Sequence, residues 1–148
     1  MVRARVVCDG AGAEKTGKPG GWAFVILEGE DVVAEGQGAA LKTSSLVMEL
    51  TAAAEGLEVA VRRGLSGVEL VTDCRIALDV ATGAFTPRPP QYRAACERLR
   101  AAFVAASASA RWVRAHSGER WNEEVDARAA RARDEQPQTS TARRGNAQ

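Results

Sequence analysis

Val68–Asp73, VELVTD, is a short and nearly continuous apolar run that closes on an aspartate. A strand with one face in water alternates apolar and polar residues; a strand covered on both faces does not. VELVTD therefore reads as a strand buried on both sides, which places it in an α/β domain with helices on each face of the sheet. The segments on either side agree. Upstream, SSLVMELTAAAEGLEVAVRRG (residues 44–64) puts Leu46, Leu50, Ala53, Leu57 and Ala60 on one side of a helix, with Ser44 or Ser45 as N-cap and Gly64 as the stop. Downstream, CRIALDVATG predicts a short helix ended by Gly83, and TPRPPQ a break. YRAACERLRAAFVAASA predicts a helix carrying Tyr92, Cys96, Leu99 and Phe103 on one side.

Nearer the N-terminus, VRARVVCD is strand-like and ends, at Asp9, on the glycine-rich GAGAEKTGKPGG. WAFVILEG and DVVAEGQGAAL form a hairpin across the acidic turn Glu28–Asp31. ARWVRA is the last strand, and NEEVDARAARAR the last helix, with Asn122 as its N-cap and acids in its first turn. From about Asp134 the sequence DEQPQTSTARRGNAQ has no periodicity and almost no apolar residues, so residues 1–134 are expected to form one domain and 135–148 a disordered tail. The order is three strands, helix, strand, one or two helices, strand, helix: an α/β domain with a mixed sheet.

Composition narrows the function classes. The chain of 148 residues is one domain's worth, enough to bury roughly two-thirds of its unfolded surface. Its net charge is +1, but residues 21–40 hold Glu28, Glu30, Asp31 and Glu35 without a Lys or Arg, and the stretch from Arg88 to Arg133 is arginine-rich. A basic face of that kind suits phosphates without requiring them. Cys8, Cys74 and Cys96 have no metal-binding spacing, and an odd count fits a reducing compartment. With no signal peptide and no apolar run approaching the ~20 residues of a membrane span, the expectation is a soluble cytoplasmic protein with no membrane partner.

Most of the 19 acids lie where solvent-facing acids belong, and four do not. Asp9 and Asp73 end the first and fourth strands, which converge at one sheet edge if those strands are parallel neighbours. Glu49 falls among Leu46, Leu50 and Ala53 on the apolar face of its helix, and Asp126 lies one turn into the last helix beside Val125. A buried acid is costly without compensation, and clustered acids repel. Hard oxygen donors at one edge suit Mg²⁺, and two such ions about 4 Å apart serve phosphodiester cleavage. The only histidine, His116, sits in the loop RAHSGER ten residues before Asp126.

Four blocks in this order, CDGAG…GKPGGWAFVI, TSSLVMELTAAAEGL, VELVTDC and WVRAHSGERWNEEVDARAARA, make the chain resemble the type 1 ribonucleases H from about Val6 to Arg133. The resemblance implies a five-stranded mixed sheet in the order 3-2-1-4-5 flanked by helices. It implies cleavage of the RNA strand of RNA–DNA hybrids to 5′-phosphate and 3′-hydroxyl ends. Asp9, Glu49, Asp73 and Asp126 map onto the family's metal-binding carboxylates, for two Mg²⁺ ions with Mn²⁺ able to substitute. His116 maps onto a loop histidine that assists proton transfer or product release. For substrate binding the resemblance points to Gly10, Ala11 and Gly12, to Ser45, and to a phosphate pocket at Lys42 and Ser44. Ser44 and Ser45 also suit helix capping.

The chain departs from the family at three places. Ser45-Leu46-Val47 replaces a pair of amide side chains, Cys74 stands where serine is frequent, and TGAFTPRPPQ is too short for the basic protrusion of many relatives. Weaker hybrid binding is therefore expected, with Arg88, Arg93, Arg98 or Arg143–Arg144 as candidates to compensate, against the commoner reading of such arginines as a solvated helix face. No hybrid-binding domain is expected before Met1, and the expected form is a stand-alone enzyme, monomeric and without an obligatory protein partner. Two other readings stay open: a same-fold nuclease acting on DNA, and a catalytically silent hybrid-binding module.

Overall fold

The computed structural model describes residues 3–136. Five strands form one sheet: β1 (Ala4–Ala11), β2 (Lys18–Glu28), β3 (Asp31–Thr43), β4 (Glu69–Thr72) and β5 (Ser109–Trp112), in the order β3-β2-β1-β4-β5. β1 to β3 form an antiparallel meander, and β4 and β5 add to β1 in parallel. Four α-helices follow the expected plan: α1 (Ser45–Arg62), α2 (Arg75–Thr82), α3 (Arg93–Ala105, preceded by a short 3₁₀ turn at Pro90–Tyr92) and α4 (Arg120–Asp134).

The alternation of side chains along β1 divides the core. Val6 and Cys8 face α1, α2 and α3 with Leu50, Leu57, Leu70 and Leu99, whereas Val7 faces α4 with Val25, Leu27, Val71 and Val125. VELVTD behaves as its composition dictates, with Leu70, Val71 and Thr72 all buried. Its short reach has a consequence. β4 leaves β1 after Val7 pairs with Val71, while β1 continues beside β2 as far as Ala11 paired with Gly21. Asp9 thus lies inside β1, two residues before its end, on a stretch whose β4 side is open.

Local signals explain the helix boundaries. The Ser44 hydroxyl accepts from the Val47 amide at 3.3 Å to cap α1, and Gly64 (φ +78°) follows its last turn. Gly83 takes the left-handed conformation that ends α2. One boundary differs from expectation. α4 starts two residues before Asn122, and the cap is Glu119, whose carboxylate accepts from the Asn122 amide at 2.7 Å. The segment after α4 also differs at its start: Gln136 donates to the carbonyls of Gly20 and Ala40 and ties the end of the helix to the sheet. The remainder of the expected tail, 137–148 with Arg143 and Arg144, lies outside the described residues.

Candidate active site

Three elements deliver carboxylates to one place. Asp9 points from β1 toward the α4 side, Glu49 comes from the first turns of α1, and Asp73 follows the last residue of β4. Oxygens of the three lie within 4.8 Å of one another. Glu49 reaches its position because α1 touches β1 backbone to backbone: a methyl group at Gly10 would strike the main chain of Met48 and Glu49. The same approach lets the Gly10 amide donate to Glu49 Oε1 at 2.9 Å. Among the described residues, no Lys or Arg forms an ion pair with Asp9, Glu49 or Asp73.

Electrostatics follows from that geometry. Burial, then the charges of Glu49 and Asp73, push the Asp9 carboxyl up to about 10. Asp126, from α4, comes close enough to Asp9 to add to this rise, although it lies outside the three-carboxylate group. Burial also pushes Glu49 up, to about 8, against the lowering effect of hydrogen bonds from Asp9 and the Gly10 amide. Asp73 is raised by burial and held back by the Asn122 side-chain amide, which donates to Asp73 Oδ2 at 3.3 Å. Carboxylates gathered this closely, with no Lys or Arg among the described residues paired to them, form a group that could hold a cation. All the donors are hard oxygens, the set that Mg²⁺ prefers.

His116 stands on the exposed loop between β5 and α4 in a left-handed conformation (φ +55°), near enough to Asp73 to lower that carboxyl's affinity for a proton. The glycine loop and the start of α1 also meet. A Cβ at Gly12 would sit 3.1 Å from the Ser45 nitrogen, and the Ser45 amide donates to the Ala13 carbonyl at 2.7 Å. Gly10, Ala11, Gly12 and Ser45 are partly exposed along this seam, Lys42 is exposed at the end of β3, and Ser44 is fully buried with its hydroxyl engaged in the cap. The suggestion that Arg98 grips substrate does not hold. Its guanidinium is taken by Glu58 at 2.7 and 2.8 Å and by Glu55 at 3.0 Å.

Two contributors escaped sequence reasoning. Asn122, read as a cap, is 1% exposed and holds Asp73. Its place four residues before Asp126, on the same face of α4, was the available signal. Trp112 donates its indole N–H to the Asp73 carbonyl at 3.0 Å, a cross-strand contact that no sequence spacing announces.

The comparisons with known proteins agree with this geometry. The family model for RNase H matches residues 3–134. A curated ribonuclease H of Hydrogenovibrio crunogenus is 33% identical over 146 residues, covering 91% of this chain and 98% of that protein. RNase H1 of the halophilic archaeon Halobacterium salinarum superposes with a TM-score of 0.76 at 27% identity, covering 90% of this chain and 98% of that one. The N-terminal RNase H domain of a Mycobacterium tuberculosis protein shares the fold at a TM-score of 0.80 and 21% identity, covering 91% and 96%. The chain belongs to the RNase H family.

Proposed function

We propose that this protein hydrolyses the RNA strand of RNA–DNA hybrids, leaving 5′-phosphate and 3′-hydroxyl ends. The observation that carries the reading is the convergence of Asp9, Glu49 and Asp73 in a group that the chain leaves without a cation. In this reading those three residues and Asp126 hold two divalent ions, Mg²⁺ with Mn²⁺ able to substitute. When bound, the ions supply stabilisation of the attacking and leaving oxygens of a phosphodiester.

The chain's own residues do the rest. Asn122 and Trp112 fix Asp73 from its side chain and its carbonyl. The Gly10 amide fixes Glu49. His116, exposed and beside Asp73, moves a proton to or from the attacking water or the departing 3′-oxygen. The main chain at Gly10–Gly12, which carries almost no side chain, and Ser45 offer the close approach that sensing a 2′-hydroxyl in a minor groove requires. Lys42 meets a phosphate of the DNA strand.

One end-labelled RNA, presented alone, paired with RNA and paired with DNA, tests the proposal. The wild type and Asp9→Asn are each incubated with Mg²⁺ and with chelator. The expected result is cleavage of the hybrid alone, lost with chelator and lost in the variant. An intact hybrid under every condition, with binding retained, would overturn hydrolysis in favour of a silent binding module. Cleavage of the RNA when it is single-stranded or paired with RNA would overturn the substrate assignment.

A further inference from the structure

Arg75 is the first residue of α2, two residues after Asp73, and its guanidinium carbon lies 4.4 Å from the centroid of the Trp112 ring on β5. Both side chains are exposed, the indole by 41%, and the ring is anchored through its N–H to the Asp73 carbonyl. A guanidinium on an aromatic face is oriented without being neutralised, so its donors stay available. Arg5, Arg98, Arg111, Arg128 and Arg133 each have a carboxylate within 3.4 Å. Arg75 is among the described arginines with no ion pair, and of these only Arg75 and Arg120 lie over an aromatic ring. The other such pair, Arg120 over Trp121 at 4.3 Å, is of another kind. Trp121 is only 6% exposed and its N–H goes to Glu30 at the β2–β3 turn, so that pair seals the core.

We infer that Arg75, held by Trp112, binds a backbone phosphate of the nucleic acid on the β5 side of the carboxylates, away from the glycine loop that leaves β1. The inference rests on the nuclease reading above. A polyanion brought to a carboxylate cluster is repelled by it, and an oriented, unneutralised guanidinium beside Asp73 offsets that repulsion at one strand position. Its fork matches two phosphate oxygens, and such a contact positions the strand without reading its sequence. In a chain without a basic protrusion, this contact helps set the register of the strand over the site.

The test measures binding of a fluorescently labelled hybrid duplex, in chelator to prevent cleavage, across a range of salt concentrations for wild type, Arg75→Ala and Arg75→Lys. Cleavage with Mg²⁺ is followed in parallel. Arg75→Ala is expected to weaken binding about tenfold at low salt. It should also make the dependence of log affinity on log salt shallower by about one unit. Arg75→Lys, which keeps the charge, should keep the slope while binding less tightly than wild type, and KM for the hybrid should rise in both. An unchanged slope and affinity in Arg75→Ala overturns the inference. So does an unchanged slope with a lower kcat, which would make Arg75 a brace for Trp112 and Asp73, and so does a wild type that binds no duplex. A wild type that binds the hybrid and fails to cut it refutes the nuclease reading instead, and the salt slope still decides the role of Arg75.

Discussion

Glu49 and Glu58 stand nine residues apart on the same helix, and their surroundings treat them in opposite ways. Glu58, with Glu55 one turn earlier, meets the forked guanidinium of Arg98 from α3, and that hydrogen-bonded charge holds its carboxyl below the usual range. Glu49 is packed against Asp9 and Asp73 with no positive partner among the described residues, and burial pushes its carboxyl up in spite of the Gly10 amide. The first arrangement is finished when the chain folds. The second has no positive partner within the described chain, and in the proposed function that place is taken by a divalent cation.

The comparison breaks most sharply under paired substitution. Glu49→Gln is expected to reduce hybrid cleavage on the order of a thousandfold. Glu58→Gln should leave it unchanged, measured as initial rates on the same labelled duplex. Metal-free Glu49→Gln should also melt at a higher temperature than wild type near pH 7, because the wild-type carboxyl must take up a proton to be buried and the amide need not.

A smaller effect concerns pH. Asp9 and Glu49 keep their protons in the folded, metal-free protein up to about 10 and about 8, well above where an unfolded chain releases them. Between the unfolded and folded values the native state binds more protons, so stability falls as pH rises. The melting temperature in chelator should therefore decline from about pH 4.5 through pH 8 and onward toward pH 10. Mg²⁺ should flatten the decline. Glu58 acts in the other sense: its lowered value contributes stability above its unfolded value of 4.5 that is lost on acidification. That contribution is modest, because the side chain is still 33% exposed and its ion pair is screened by solvent.

The least effect belongs to Arg98→Ala. With its side chain 37% exposed, the change should cost about 1 kcal/mol or less by chemical denaturation, with the loss shrinking in high salt.

This contrast also marks what the sequence made legible. Glu49 stood out because it interrupts the apolar face of its helix, and Asp9 and Asp73 because each closes an apolar run. Ordinary rules of burial expose such residues. The α/β class followed once VELVTD was read as covered on both faces, and the strand order came from the resemblance to the type 1 ribonucleases H. Arg98 and Asn122 were misread for one common reason. Each looks like the generic occupant of its helix, a surface arginine and a capping asparagine, and each acquires its role from a partner 40 or 49 residues away. Spacing within one element carries no information about such pairs. The same holds for Trp112, whose indole spans from β5 to the end of β4.

Gly10 has one further consequence, and it belongs to spectroscopy. Its amide proton points at an oxygen of Glu49 across a contact where no side chain separates strand from helix. A cation that claims Glu49 competes with that proton for electron density on the same carboxylate. The Gly10 N–H is therefore a native reporter: its chemical shift and its rate of exchange with deuterated solvent register the filling of the site, with no label attached and no residue changed.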